Sequence, residues 1–115
     1  MAIQPIRLFG DPVPLRDVGL LNAAAARPQT TVFGADAYAT IWDKAAALLD
    51  SIVNNHPLID GNKRLGWTAC AVFLELNGAS VVDASNDDVV ELVTSIAAGR
   101  RSIENVATAL RSLAR

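Results

Sequence analysis

The stretch His56-Pro57-Leu58-Ile59-Asp60-Gly61-Asn62-Lys63-Arg64 gathers the only histidine of the chain, a carboxylate, a glycine, an amide and two bases. An imidazole with an unperturbed pKa of about 6.5 is suited to take a proton from an attacking hydroxyl near neutral pH, which makes His56 the candidate general base. Asp60 is the candidate Mg²⁺ ligand, because that ion binds through one or two carboxylates plus phosphate oxygens. Gly61 lets the backbone come close to a ligand. Asn62 opens a predicted helix whose first N–H groups lie outside its own ladder and whose dipole presents positive charge, so phosphate is the natural guest. Lys63 and Arg64 place two full charges where cations oppose the dipole, which argues for a bound anion rather than for helix stability. Singly, each piece has a plainer reading: His56 as a loop residue, Asp60-Gly61 as a turn, Lys63-Arg64 as a solvated pair. Their concentration in one break between helices points to phosphate chemistry.

Two helices must hold that break. Upstream, from Asp36, the apolar positions Tyr38, Ile41, Trp42, Ala45, Leu48, Leu49, Ile52 and Val53 recur at helical spacing. Downstream, Asn62 to Leu76 is apolar on nearly every side and stops at Asn77-Gly78, the pattern of a helix in the middle of a bundle. Ser85 and Asp88 form a capping-box pattern before a helix with Val89, Leu92, Val93, Ile96 and Ala97 on one face, ended by Gly99. Ser102 caps a last helix with Ile103, Val106, Ala107, Leu110 and Leu113 inward and Arg111 in its final turn. Near the start, Asp17 caps a short helix through about Ala26 that Pro28 ends. Residues 1–16, with Pro5, Gly10, Pro12 and Pro14, read as an extended arm without regular structure. Residues 28–35 read as one short strand or an exposed flap. There Thr30 to Phe33 offers an edge for a target segment, although an ordinary loop is the simpler reading. Trp42, Trp67, Tyr38 and Phe73 are expected in the core. The fold class is therefore all-α: a small helical bundle around a central buried helix, with room for one short β flap.

At 115 residues the chain is one domain. Its hydrophobic content of 51% against 19% charged residues suits a packed core rather than a disordered chain. A net charge of -2 provides no field to attract a polyanion, so no nucleic-acid partner is expected. The lone Cys70 sits in the apolar run Ala69 to Leu74 and reads as a small buried hydrophobe in a reducing setting. The start lacks a signal-peptide layout and no apolar run is long enough to span a membrane, so a cytoplasmic location and no membrane partner are expected.

In the His56 to Arg64 stretch the chain resembles the Fic/Doc family, whose usual signature is HPFx[DE]GNGR and whose Doc-like (death-on-curing) toxin branch has NKR in place of NGR. His56, Pro57, Asp60, Gly61, Asn62 and Arg64 occupy the family positions, Lys63 matches the Doc-like branch, and Leu58 replaces the usual Phe. The similarity extends from about Leu15 to Gly78, more than half the chain. It implies a Fic-like fold and an ATP-dependent, protein-modifying transferase with His56 as base, Asp60 holding Mg²⁺, Gly61 and Asn62 in the anion cradle, and Lys63 and Arg64 on nucleotide phosphates. In the common branch AMP is transferred to a protein hydroxyl, and a small residue between Asn and Arg leaves room for the phosphates. In the Doc-like branch the nucleotide lies in the reverse sense and its γ-phosphate is transferred, with a threonine of elongation factor Tu as the known target. Lys63 favours the kinase reading over AMP transfer.

Three departures from the family pattern shape what else is expected. Members usually have a further helix upstream of the Arg16-Asp17 segment, where this chain has its Pro-rich arm. A catalytically inactive module that binds an antitoxin is for that reason a competing reading. The Arg that AMP-transferring members carry three residues after Arg64 is Trp67, which again favours the kinase. The self-inhibitory pattern [ST]xxxE[GN] fails at Glu104-Asn105 because Arg100 stands where Ser or Thr is needed, so inhibition falls to another chain. By resemblance that partner is a Phd-like antitoxin.

Overall fold

The computed structural model describes residues 6–8, 11–13, 23, 25–32, 35–55 and 61–114. Four long helices carry these described residues: α1 Ile41–Asn55, α2 Asn62–Leu76, α3 Asn86–Ala97 and α4 Ile103–Leu113. The all-α class is therefore the observed one.

Helix α1 begins later than the periodicity from Asp36 suggests. The Thr40 hydroxyl accepts from the Asp43 amide at 3.0 Å and so caps the helix, while Asp36 is drawn into a strand. Along α1, Ala45 to Leu49 and Ser51 to Val53 are all buried. It packs most extensively on α2, then on α4, and also meets α3. The central helix of the bundle is thus α1, not Asn62–Leu76 as its all-round apolarity suggested. In α2 only Gly66, Cys70 and Leu74 are buried, and Leu76 is 81% exposed. Its apolar residues serve two different surfaces instead. Leu65, Ala69 and Phe73 pack on Leu48 and Ile52, whereas Trp67 and Ala71 pack against the main core.

That main core joins Ala45, Ala46, Leu49 and Val53 of α1 to Cys70 and Leu74 of α2, Leu92, Val93 and Ile96 of α3, and Val106, Ala107 and Leu110 of α4. Val81, in the link before α3, is 3% exposed and belongs to it, although a two-valine run gave no element to read. Gly66 sets the closeness of α1 and α2. A Cβ there would lie 3.0 Å from Val53 Cγ2 and 3.2 Å from Leu49 Cδ1. The expected helix punctuation is present, with Ser85 accepting from the Asp88 amide and Ser102 from the Asn105 amide, each at 3.1 Å. Gly78 and Gly99 take the left-handed stops at φ 86° and 72°.

Short ribbons replace the unpaired segments expected near the start. Strand β1 Ile6–Leu8 pairs antiparallel with β2 Asp11–Val13, in the register Ile6 to Val13. Both are edge strands, so Pro12 is tolerated despite its missing N–H, and part of the presumed arm is extended but paired. The helix expected from Asp17 lies mostly outside the described residues. Residues 23, 25 and 26 are helical and run into a 3-10 turn, Arg27–Gln29. Strand β3 Thr31–Val32 then pairs with β4 Ala35–Asp36, which gives the flap a second strand. Lys44 of α1 donates to the Pro28 carbonyl at 3.1 Å and reaches Asp36 at 3.5 Å, tying this flap to the bundle. Among the described residues no helix is long and apolar enough to cross a membrane.

Candidate functional site

Two helix ends bracket the chemistry. His56 directly follows Asn55, the last residue of α1, and Asp60 directly precedes Gly61, the N-cap of α2. His56, Pro57, Leu58, Ile59 and Asp60 lie outside the described residues. The other half of the predicted set, Gly61 to Arg64, is described. Gly61 has φ 81° and ψ 16°, a left-handed conformation that strains any residue with a Cβ, and its carbonyl accepts from the Leu65 amide at 2.9 Å. This turn directs the chain into α2, so that Asn62, Lys63 and Arg64 form the first helical turn, with no acidic residue among them. Asn62 is half-buried, whereas Lys63 and Arg64 are exposed.

Lys63 and Arg64 line one part of a groove of about 420 Å³ between α2 and α3. The rest of its lining is Trp67 and Thr68 of α2 and Asn86, Val89, Val90, Val93 and Thr94 of α3. Two cations beside the positive end of a helix dipole suit phosphate, and Trp67 with the valines suits an apolar group attached to it. The wall from α3 was not legible as part of a site. Its valines carry the same periodic signal as a core face, and only the packing shows that the face is shared between core and groove. Trp67, expected in the core, is likewise half-buried and faces both.

A second polar cluster lies toward the end of α1. Arg27 Nε donates to the Tyr38 hydroxyl at 2.8 Å, and its Nη1 donates to Asp50 Oδ2 at 2.7 Å and Ser51 Oγ at 2.8 Å. Its guanidinium carbon is 5.6 Å from the centre of the Tyr38 ring. Burial works against the Arg27 charge, but the bonds to Tyr38 and Asp50 outweigh it and hold its pKa above the ordinary value. Tyr38 is therefore a half-buried hydrogen-bonding partner of Arg27 rather than the core residue its type suggested. Nothing in the spacing of Arg27, Tyr38 and Asp50 announces that they meet.

Cys70 is fully buried, and its thiol is pushed up to about 12 by burial, so it has no part in this chemistry. Among the described residues no group of three His, Cys, Asp or Glu side chains gathers as a metal site. Magnesium on a phosphate needs only one or two carboxylates, so the lack of such a group among the described residues does not bear on it.

The model of the Fic/DOC family matches residues 2–74, a span that contains the whole His56 to Arg64 stretch. A protein of Mycolicibacterium smegmatis (strain ATCC 700084 / mc(2)155) named Toxin Doc is 46% identical over 107 residues, covering 92% of this chain and 82% of the relative.

Proposed function

Because this chain belongs to the Fic/DOC family, we propose that it is the toxin of a toxin–antitoxin pair and a protein kinase that moves the γ-phosphate of ATP to a serine or threonine hydroxyl of a protein. The name of the 46% identical relative supports the toxin role. The observation that carries the kinase reading is Lys63, an exposed second cation in the first turn of α2 beside the groove, where an AMP-transferring member has a small residue. The groove volume of about 420 Å³ falls in the range of ~300–1,000 Å³ common for small-molecule sites.

In this reading the acceptor oxygen bonds to the γ-phosphorus, and the bond from that phosphorus to the bridging oxygen breaks, its electron pair leaving on ADP. His56 takes the hydroxyl proton. Lys63 and Arg64, with the Gly61 and Asn62 turn, hold the phosphates in line and offset their charge. Asp60 would hold Mg²⁺, which supplies further charge neutralisation. Phosphoryl transfer depends chiefly on such positioning and neutralisation, so a constellation this small suffices. Elongation factor Tu is the acceptor to test first, by resemblance to the Doc-like branch. Phosphorylating it would arrest translation in the cytoplasm, and a Phd-like antitoxin would relieve the arrest.

Expression with and without a co-expressed Phd-like antitoxin tests the proposal. The parent should arrest growth, the antitoxin should restore it, and His56→Ala should lose arrest while still binding the antitoxin. Arrest by His56→Ala equal to that of the parent would favour a binding module without catalysis.

A further inference from the structure

We infer that Arg27 is a positioning residue for the transfer reaction, acting through Asp50 and Asn54 on the end of α1 that His56 follows. The inference rests on the kinase reading for its catalytic consequence, and on the hydrogen-bond network for its geometry.

Asp50 uses both carboxylate oxygens. Its Oδ2 accepts from Arg27 at 2.7 Å, and its Oδ1 accepts from Asn54 Nδ2 at 2.9 Å, so one carboxylate is wedged between the 3-10 turn and the last turn of α1. The final carbonyls of a helix have no partners in its own ladder, and such ends fray unless something outside ties them. Here the tie comes from a residue more than twenty positions upstream. Ser51, the buried polar side chain among the described residues, accepts from the same Arg27 nitrogen, which fixes the guanidinium on the neighbouring residue as well.

The Tyr38 hydroxyl accepts from Arg27 Nε and joins the segment just after β4 to the same point. Three separate parts of the chain thus converge on one guanidinium: the turn before the flap, the residue after it, and the last two turns of α1. Only a planar fork supplies donors in these directions, and a lysine would keep the charge while losing most of the bonds. A partly exposed ion pair contributes little stability by itself. The use of such a group to lock the terminus next to His56 is better accounted for by placement of that terminus. Misplacing a catalytic group by a fraction of an ångström slows turnover without weakening nucleotide binding.

His56 is the only histidine in the chain, so its imidazole proton lines in an NMR spectrum need no assignment. At one fixed pH, the lines of Arg27→Lys should be shifted or broadened relative to the parent, and those of Arg111→Lys, an exposed control on α4, should not. With ATP and the protein acceptor, Arg27→Lys should lose turnover by about ten- to a hundredfold, with the KM for ATP changed by less than about twofold. Asp50→Asn removes the charge and keeps the side-chain shape; it should give the same signature if Arg27→Lys does not fold. Imidazole lines identical to those of the parent in a folded variant would overturn the inference, whatever the loss in thermal stability. Shifted lines in a parent chain that transfers no phosphate would remove the kinase reading and leave only the hold of Arg27 on the end of α1.

Discussion

Replacing Gly66 by alanine should destabilise the protein, the reverse of the usual effect in a helix. In an ordinary helix interior, glycine to alanine stabilises by about 0.8–1.0 kcal/mol through backbone entropy and propensity. Gly66, however, faces α1, and the new methyl would sit 3.0 Å from Val53 Cγ2 and 3.2 Å from Leu49 Cδ1. Those neighbours are 1% and 0% exposed, so neither side chain can swing into solvent to make room. Overpacking of this kind costs about 1–3 kcal/mol, which exceeds the propensity gain and leaves a net loss of about 1 kcal/mol. For a domain of this size that lowers the unfolding midpoint by about 4 °C, readable by circular dichroism. Gly66→Val adds further bulk and a β-branched residue, and should cost at least about 2 kcal/mol. Since α1 and α2 flank the proposed catalytic stretch, both variants should also lose the proposed transfer activity. A midpoint for Gly66→Ala above that of the parent would show that the two helices are not held as closely as described.

Lys63→Gly should weaken γ-phosphate transfer and open the way to AMP transfer, because the charge and bulk that set nucleotide orientation are gone; unchanged product chemistry would contradict this. Ser85→Ala and Ser102→Ala should each cost about 1 kcal/mol in urea unfolding, since each removes the oxygen that accepts from an N-terminal amide, and the pair should be close to additive because they cap different helices. Cys70 should resist alkylation in the native protein and react after denaturation. Its thiol is raised by burial from 9.0 to about 12, so the native state keeps a proton that the unfolded chain sheds. Stability is therefore fully present below pH 9 and falls as pH rises toward 12, and Cys70→Ala should flatten that fall.

The helices and their punctuation were legible because single residues decide them locally. Ser85, Ser102, Gly78 and Gly99 each act within a few positions of themselves, and the structure places them where the pattern does. Periodicity failed where two demands share one pattern. In α2, apolar residues on all sides suggest a buried centre, whereas they divide between the Leu48 and Ile52 contact, the main core and, at Trp67, the groove wall, and Val72 and Leu76 remain exposed. The start of α1 differs from the periodicity because Asp36 and Thr40 can both cap a helix, and tertiary contact decides between them. Lys44 and the strand partner Thr31 hold Asp36 in the flap, leaving Thr40 to cap. The candidate anion site at Gly61 to Arg64 is proposed from the conflict between Lys63, Arg64 and the helix dipole, which is a local contradiction. The Arg27 network is not legible in the sequence, since Arg27 stands 11 to 24 positions from its partners and no periodic signal links them.

The central claim is met most directly by incubating the purified protein with elongation factor Tu and ATP labelled on either the γ- or the α-phosphate. Label should pass to the acceptor from the γ position alone and should vanish with His56→Ala. Transfer of the α-label instead would contradict the kinase account and establish nucleotidyl transfer in its place.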